Sequence, residues 1–330
     1  MKIKIISRKD VRQAVGMAEA VSAVRKAYEQ FSAGKAVLPL RIQVPVENYG
    51  GVTLFMPAYL SRSNVLGAKI VSVFPRNEAQ NLPTIHAAVI IVEAQTGKPL
   101  ALMDGTYLTA LRTGASSGVA TELLAGKNAS TAAIIGAGAQ ARTQLEAVCS
   151  GRRIKKVFVY DISYEQAEEF VREMKEFGPP IPSHITRADT PEQAVEEADV
   201  ICTATTSTTP VFSHQALKPG VHINAIGSFT PERQEIPEET VCRSKIVVDS
   251  RKAALEEAGD LIIPIRKGMI TENHIYAEIG EIAVGKLPAR ETEEEITLFK
   301  SVGLAIQDVA VAEVVLRRAE ELKVGKEVEI

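Results

Sequence analysis

Two glycines separated by one residue directly follow an apolar run in the stretch AIIGAGAQA, residues 133–141. Gly136, Gly138 and Ala141 form a GxGxxA pattern, and the sequence TQLEAVC that follows has a helical composition. In such a pattern the first glycine permits a tight turn, the second allows close approach to the backbone, and a small third residue lets the helix pack on the strand. The stretch therefore favours a βα unit, with an ordinary strand-to-helix turn as the alternative.

Strand-like and helical segments alternate after residue 118. The apolar runs are TAAIIG, KKVFVYD, DVICTATT, VHINAIG and SKIVVD, and the helical stretches between them include YEQAEEFVREMKEF and PEQAVEEA. Alternation at this pace indicates βαβ units and a parallel sheet. We predict an α/β fold, with a doubly wound parallel sheet of the Rossmann type over residues 118–302.

The remainder of the chain has a different texture. Residues 37–104 contain many prolines and glycines between the short β-rich runs RIQVPV, AKIVSV and HAAVIIVEA, which predicts a mainly antiparallel sheet. One helix is predicted from a cap at Asp10 to a stop at Gly34, and an amphipathic helix in the tail is predicted to end near Gly325. We expect the tail helix to pack back on the first domain, which would then comprise residues 1–117 with 303–330.

Composition and charge narrow the class of protein. The 330 residues suggest two domains of ordinary size or one large domain. A net charge of -3 without a basic stripe argues against nucleic acid or an anionic membrane surface as a partner. The three cysteines (Cys149, Cys202 and Cys242) are scattered, which predicts no metal site and no disulfide framework. No signal-peptide pattern and no apolar run of roughly 18 residues is present. We therefore expect a cytoplasmic protein that does not bind membranes.

Two further features support dinucleotide binding at the glycine turn. The strand-like VFVYD ends in Asp161, 25 residues after Gly136, where a carboxylate can accept hydrogen bonds from both ribose hydroxyls and repel a 2′-phosphate. The stretch ADVICTATTS ends in small hydroxyl residues that suit a crossover beside a cofactor. The pyrophosphate is expected near Gly138, at the positive end of the following helix. NADH is therefore predicted in preference to NADPH.

Polar residues inside apolar segments are the candidates for substrate chemistry, because no HExxH, GxSxG or Walker signature is present. Lys69 interrupts an apolar strand, and is either an exposed residue of an alternating face or a buried cation with a role. Arg112 lies among small and apolar residues, where a salt bridge is the alternative to ligand binding. His86 is more simply explained as a core or edge residue than as a catalyst.

Eight segments, in this order, resemble the ornithine cyclodeaminase/mu-crystallin family: LPLRIQVPV, GAKIVSVFP, LPT, TALRTGASSGVA, IIGAGAQA, VFVYDIS, INAIGSFTPERQEI and SVGLAIQD. The resemblance covers almost the whole chain. It implies a substrate-binding and dimerisation domain completed by the C-terminal helix, an NAD-binding Rossmann domain, and a homodimer joined through the β-rich domains.

The family pattern also implies roles for individual residues. Arg41, Lys69 and Arg112 would surround the α-carboxylate of the substrate, with Val302 nearby. A guanidinium fork suits the plane of a carboxylate, and a lysine adds charge beside it. The positions that match cofactor contacts are Thr84, Arg112, Thr113, Gly136, Gly138, Ala139, Gln140, Asp161, Thr203, Asn224, Ala225, Ile226, Gly227 and Ser301.

Two departures from the family pattern bear on the reaction. Cyclodeaminases carry a catalytic Asp where this chain has Phe229, and a Glu before the Met-Pro turn where this chain has Thr53-Leu54-Phe55. Phenylalanine cannot transfer a proton, so both departures argue against a diamine substrate and against loss of ammonia. Both replacements suit an apolar ring.

The resemblance then implies NAD(P)H-dependent reduction of a cyclic imino acid, Δ1-pyrroline-2-carboxylate to L-proline, with Lys69 as the proton donor. A substrate that binds as the iminium would need no donor, and the six-membered piperideine homologue stays open. The alternatives are an alanine dehydrogenase, an ornithine cyclodeaminase, or a mu-crystallin-like protein that binds NAD(P)H and a small ligand.

Overall fold

The computed structural model describes residues 1–80 and 82–329. The chain divides into two compact units: unit 1 comprises Met1–Arg112 and Leu304–Ile330, and unit 2 comprises Thr113–Gly303. The predicted division lies at residue 117, whereas the observed boundary follows Arg112 within helix α3 (Gly105–Leu124).

Unit 1 contains a mainly antiparallel sheet in the order β16-β1-β7-β6-β5-β4-β2, with β3 also paired to β4. Numbered along the whole chain, its strands are β1 (Lys2–Ile6), β2 (Ala36–Val37), β3 (Ile42–Val46), β4 (Gly51–Leu60), β5 (Val65–Val73), β6 (Ile85–Glu93), β7 (Pro99–Asp104) and β16 (Lys326–Glu329). The antiparallel prediction is confirmed for β3 to β7, but β1 pairs with β7 in parallel and neither β1 nor β16 was predicted.

The prediction of one helix between Asp10 and Gly34 is wrong, because two helices occupy this region: α1 (Arg8–Ala14) and α2 (Met17–Ser32). Ser7 is the N-cap of α1, and Asp10 is its partner in a capping box, where the Ser7 N–H donates to Asp10 Oδ2 at 2.9 Å. The chain turns extended at Val15 (φ -137°, ψ 125°), which ends α1.

The tail helix α11 (Ala305–Glu321) packs against α2, β4 and β5 within unit 1. It ends before Gly325, which has a φ of +83° and leads into β16. A Cβ atom at Gly325 would lie 3.0 Å from the Ile5 carbonyl oxygen, so the close approach of the two chain segments favours glycine.

Unit 2 is built on a parallel sheet in the order β10-β9-β8-β11-β12-β15-β13-β14, so the predicted Rossmann-type sheet is confirmed. Its strands are β8 (Thr131–Ile135), β9 (Lys156–Tyr160), β10 (Ile185–Arg187), β11 (Val200–Thr203), β12 (His222–Ala225), β13 (Lys245–Val248), β14 (Ile275–Glu278) and β15 (Thr297–Lys300). Its further helices are α4 (Ala141–Gly151), α5 (Tyr164–Phe177), α6 (Pro191–Val195), α7 (Glu238–Arg243), α8 (Arg251–Glu257), α9 (Gly259–Arg266) and α10 (Ile279–Ala283).

Side chains of successive strand residues in unit 2 enter different cores. Ile134 belongs to the same apolar cluster as Leu145 of α4 and Phe170 of α5, whereas Ile135 belongs to the cluster that contains Val195 of α6 and Ala254 of α8. Because neighbouring residues of a strand point to opposite faces, these are two apolar layers, one on each side of the sheet.

The strand order reverses at β8, with β9 and β10 on one side and β11 and β12 on the other. Ligands of open parallel sheets bind at such a switch point, outside the carboxyl ends of the strands. Gly136 follows β8, Asp161 follows β9, and Gly227 comes shortly after β12. The topology therefore brings the predicted dinucleotide residues to the same edge of the sheet.

Candidate active site

A buried cluster of charged side chains lies in unit 1, and we call Lys69, Arg112 and Asp308 the charged cluster. Lys69 Nζ lies 2.9 Å from each carboxylate oxygen of Asp308, and Arg112 Nε lies 3.0 Å from Asp308 Oδ1. Lys69 is 1% exposed and Asp308 0%. Charged groups are rarely buried unless they are paired, and here two cations share one carboxylate. The excess positive charge suits a bound anion.

The strand pattern explains why Lys69 is buried. In β5 the inward positions alternate from Val65 through Gly67 and Lys69 to Val71, so the lysine occupies a core position and faces α11. A Cβ atom at Gly67 would lie 3.1 Å from Val309 Cγ1, and its absence lets α11 approach the sheet. That approach delivers Asp308 to the lysine.

Gln307 orients the guanidinium of Arg112. Arg112 Nη1 donates to Gln307 Oε1 at 2.6 Å, and the N–H of Leu304 donates to the same oxygen at 3.2 Å. Gln307 Nε2 donates to the hydroxyl of Tyr28, a buried residue of α2. Because the amide is held at both ends, Arg112 has a fixed orientation, which planar recognition of a carboxylate requires.

Burial and, next, the positive charge of Arg112 lower the pKa of Lys69 to about 7, although the carboxylate of Asp308 opposes both effects. The charge of Arg41 also contributes to lowering the pKa, so Arg41 lies within electrostatic range of the lysine. An amine with a pKa near 7 exchanges its proton readily at neutral pH. The cluster can therefore bind an anion and transfer a proton.

Thr84 and His86, two polar residues of unit 1 that the sequence analysis considered, do not belong to the charged cluster. Thr84 is half-buried just before β6, and its carbonyl oxygen accepts the N–H of Phe74 at 2.8 Å. His86 is exposed and pairs with Ser72 in the strand ladder. His86 was expected to be a core or edge residue, but its side chain is exposed and β6 lies between β5 and β7 in the sheet.

The glycine turn of unit 2 has the backbone that a dinucleotide site needs. Gly136 has a φ of +95°, and a Cβ atom there would lie 2.8 Å from the Ala204 carbonyl oxygen. At Gly138, by contrast, no atom of the described residues lies within 4 Å of an added Cβ, so the space above it is open. Ala139 is exposed and Gln140 half-buried at the start of α4. This open cradle at a helix N-terminus fits a pyrophosphate.

Asp161 lies beside that turn. Its Oδ2 accepts the N–H of Ala137 at 2.7 Å, and its Oδ1 accepts the N–H of Ser163 at 2.8 Å. Each carboxylate oxygen has two lone pairs, so a further hydrogen bond from a ribose hydroxyl is possible at both. The structure thus brings Asp161 and the glycine turn together.

Several residues predicted to contact the cofactor have side chains that are buried or hydrogen-bonded within unit 2. Thr203 is fully buried, and its hydroxyl donates to Glu235 Oε2 at 3.0 Å. Asn224 Nδ2 donates to Thr121 Oγ1 at 3.1 Å, and Asn224 Oδ1 lies 3.2 Å from a ring nitrogen of His222. Ala225 and Ile226 are also buried, and Gly227 is half-buried. Any contact of these residues with a ligand is therefore made mainly by backbone.

The segment Ser301–Gly303 is fixed by Asp249. Asp249 Oδ2 accepts the Ser301 hydroxyl at 2.8 Å, the Val302 N–H at 2.9 Å and the Gly303 N–H at 2.8 Å. Val302 is 7% exposed and belongs to one of the two apolar layers. Thr113, the first residue of unit 2 in the sequence, is a buried residue of α3.

Asp308, Glu235 and Asp249 were not predicted from the sequence. Each is an acidic residue with an apolar residue on one side and a polar residue on the other, in QDVA, QEIP and VVDS. A charged residue in such a setting is a weak signal, because one exposed position in an otherwise apolar segment produces the same pattern. Most of the hydrogen-bonding and ion-pair partners of these three carboxylates are distant in the sequence and are brought to them only by the fold.

Comparison with known proteins identifies the family. The profile of the ornithine cyclodeaminase/mu-crystallin family matches residues 1–323. The chain belongs to this family. The resemblance inferred from eight short segments is thereby confirmed.

Two relatives share 44% of their residues with this chain. One is a Δ1-pyrroline-2-carboxylate reductase of Bacillus cereus, aligned over 98% of this chain and 99% of the relative. The other is the structure of Thermococcus litoralis Δ1-pyrroline-2-carboxylate reductase in complex with NADH and L-proline, with a TM-score of 0.95 over 99% of this chain and 100% of that one. An archaeal alanine dehydrogenase dimer with bound NAD is 38% identical, with a TM-score of 0.93 over the full length of both chains.

Residues 1–80 and 82–329 lack the features of two other kinds of site. No helix in this part of the chain is long and apolar enough to span a membrane. No group of three or more His, Cys, Asp or Glu residues in the same part could hold a metal ion.

Proposed function

We propose that this protein reduces Δ1-pyrroline-2-carboxylate to L-proline with NADH. The observation that carries the proposal is the charged cluster, which combines an excess of positive charge with a lysine whose pKa is about 7. The similarity to two Δ1-pyrroline-2-carboxylate reductases supports the same reaction.

The substrate carboxylate is bound by the cations of unit 1. Arg112 is oriented by Gln307 and Asp308, so its guanidinium can present two parallel N–H groups to a carboxylate. Arg41, half-buried and in electrostatic range of Lys69, adds a second cation. Fixing the carboxylate also fixes the adjacent C2 atom, and such orientation lowers the barrier of a reaction by several kcal/mol. We also propose Val302 as a residue near the substrate.

Lys69 supplies the proton. Reduction of the C=N bond adds a hydride to C2 and a proton to nitrogen, and the ammonium group of Lys69 donates that proton to become a neutral amine. Asp308 holds the lysine Nζ in place and favours the protonated form before the step. Arg112 and burial favour the neutral form after it. These opposing influences keep both states accessible near neutral pH.

Most of the residues proposed to bind the cofactor belong to unit 2. NADH, when bound, supplies the hydride. The turn at Gly136 and Gly138 and the N-terminus of α4 would hold its pyrophosphate, and Asp161 its adenosine ribose. The further proposed contacts are Thr84, Arg112, Thr113, Ala139, Gln140, Thr203, Asn224, Ala225, Ile226, Gly227 and Ser301. Because Asp161 would repel a 2′-phosphate, we expect a lower Kd for NADH than for NADPH in a fluorescence titration, and equal values would contradict this preference.

The residues at the two cyclodeaminase positions support a reductase. Phe229 is 37% exposed and lies against the guanidinium of Arg233, 5.4 Å from the ring centroid. Phe55 is 39% exposed and Leu54 is 8% exposed. Neither position carries a group that can remove a proton or bind a distal amine.

An exposed apolar row in unit 1 supports a homodimer. Ile42 pairs with Phe55, and Phe55 pairs with Ile70, so these three exposed side chains are neighbours across β3, β4 and β5. Exposed apolar patches of this kind often mark protein interfaces. We expect sedimentation to give a dimer, and Phe55→Glu to shift it toward the monomer; an unchanged dimer would place the interface elsewhere.

Three substrate mixtures distinguish the candidate activities. We expect rapid oxidation of NADH with Δ1-pyrroline-2-carboxylate, slower oxidation with pyruvate and ammonia, and no reaction of L-ornithine with NAD. The archaeal alanine dehydrogenase makes the second mixture the serious competitor. A higher kcat/KM with pyruvate and ammonia would overturn the proposal. Oxidation of NADH by no mixture would instead favour a ligand-binding protein.

A further inference from the structure

Glu235 connects two loops of unit 2. Its Oε1 accepts the N–H of Thr205 at 2.7 Å and the hydroxyl of Thr205 at 2.8 Å. Its Oε2 accepts the N–H groups of Gly227 at 2.7 Å and Ser228 at 3.0 Å, and the hydroxyl of Thr203 at 3.0 Å. A single carboxylate therefore joins the loop after β11 to the loop after β12.

The segment that carries this carboxylate is itself fixed from a second side. Asp260 Oδ1 accepts the N–H groups of Glu235 at 2.7 Å and Ile236 at 3.0 Å, and Lys300 Nζ donates to Asp260 Oδ2 at 2.9 Å. Glu235, Asp260 and Lys300 are all 0% exposed. Hydrogen bonds to ionised groups are the stronger kind, and a buried network with every member paired is rigid.

The two joined loops lie where the sheet topology places a ligand. β11 and β12 are neighbours on one side of the switch point, and both loops leave their carboxyl ends. A Cβ atom at Gly227 would lie 2.2 Å from the Thr205 carbonyl oxygen and 2.5 Å from Glu235 Oε1. Glycine is therefore required at this position if the loops are to meet over the carboxylate.

The same bonds determine which groups remain for a ligand. Thr203 and Gly227, both proposed to contact the cofactor, direct a hydroxyl and an N–H inward to Glu235. Thr205 and Gly227 are both half-buried, so each loop stays partly accessible while its position depends on the carboxylate that joins the two.

We propose that Glu235 is a positioning residue that holds the loops after β11 and β12 in the conformation that binds NADH. This inference rests on the proposed function, because it assumes that NADH is the ligand. Glutamine at this position would turn an amide N–H₂ toward groups that are themselves donors, so at least one of the two loops would lose its anchor.

Asp199 offers a matched control in the same unit. Its Oδ2 accepts the N–H groups of Ser130 at 2.7 Å and Thr131 at 2.9 Å, and its Oδ1 binds Lys218. These contacts lie at the amino ends of β8 and β11, at the opposite edge of the sheet from Glu235. Asp199→Asn therefore removes a carboxylate with a similar structural role, away from the proposed cofactor site.

The experiment titrates NADH fluorescence with the wild type, Glu235→Gln and Asp199→Asn, and records thermal unfolding of each without cofactor. We expect both variants to unfold at lower temperature, Glu235→Gln to raise the Kd for NADH by about tenfold or more, and Asp199→Asn to leave it within about twofold. Hydrogen exchange of the cofactor-free protein should be faster at Thr205, Gly227 and Ser228 in Glu235→Gln only.

An unchanged Kd in Glu235→Gln, or an equal rise in Asp199→Asn, would overturn the inference and leave the proposed function intact. Failure of the wild type to bind NADH would overturn the proposed function and the inference with it. If Glu235→Gln does not fold, Thr205→Val removes one hydroxyl donor and leaves the carboxylate in place. We expect that variant to raise the Kd about threefold, and an unchanged Kd would again contradict the role of Glu235.

Discussion

Buried charges are used differently in the two units. In unit 1, Lys69 and Arg112 share the single carboxylate of Asp308, and the cluster keeps an excess of positive charge. In unit 2, the carboxylate oxygens of Glu235 and Asp249 accept hydrogen bonds from N–H and O–H groups of neighbouring loops. The first arrangement leaves charge for a substrate, whereas the second uses charge to hold backbone in place.

This contrast predicts which measurement each substitution changes. Loss of the charge of Lys69 should reduce turnover and leave the Kd for NADH nearly unchanged. Loss of a contact at the proposed cofactor site of unit 2 should raise the Kd for NADH and leave the chemical step nearly unchanged. Variants that changed both quantities equally would remove the distinction.

The largest effect is expected for Lys69→Ala. Loss of a general acid typically costs 10²–10⁴-fold, so we expect kcat for imine reduction to fall by about 10²-fold or more. The Kd for NADH should stay within about twofold, as measured by fluorescence titration. Lys98→Ala, which alters an exposed lysine of the same unit, is the control and should keep normal kinetics. Near-normal turnover by Lys69→Ala would mean that the substrate binds as the iminium and needs no donor.

Gly138→Ala should have a smaller and more selective effect. Within the described residues the added methyl group meets no atom of the protein, so the melting temperature should stay the same. The methyl group would, however, occupy the space proposed for the pyrophosphate, and we expect the Kd for NADH to rise about tenfold. Gly126→Ala, at another open position of unit 2, is the control and should change neither quantity. An unchanged Kd in Gly138→Ala would place the cofactor elsewhere.

His222 provides the smallest effect, and one on stability alone. Burial lowers the pKa of His222 to about 3, so the folded protein keeps it neutral where an unfolded histidine, with a pKa of 6.5, takes up a proton. Stability from this residue is therefore lost as the pH falls from 6.5 toward 3. Urea unfolding of His222→Gln should show a slope against pH that is smaller by up to about 1.4 kcal/mol per pH unit.

Equal slopes in the wild type and His222→Gln would show that His222 does not contribute to acid unfolding.

Local pattern was sufficient to predict much of the fold. Alternating strands and helices predicted the parallel sheet of unit 2, because each βα unit repeats the same short-range signal. The break between α1 and α2 was missed, because the helical spacing of apolar residues continues across Val15 and Gly16, where the chain leaves the helix. The strands β1 and β16 were missed because each is short and is stabilised by pairing with a distant part of the chain.

In the candidate site, too, contacts between residues far apart in the sequence could not be predicted. Lys69 and Arg112 were singled out by their apolar neighbours and the family pattern, and the structure brings them together. Asp308 lies 239 residues after Lys69, and no local signal connects the two. The same holds for Glu235, whose donors come from loops after two separate strands. Such pairs depend on tertiary packing.

Asp308→Asn tests the central claim that a lysine held by this carboxylate delivers the proton. The protonated lysine is the donor, so kcat/KM for Δ1-pyrroline-2-carboxylate should be highest below pH 7 and fall above it in the wild type. Asp308 raises the pKa of Lys69, so its loss should shift the falling limb to lower pH by about one unit. Ionisation of the substrate is common to both enzymes and cancels. Identical profiles in the two enzymes would contradict the account.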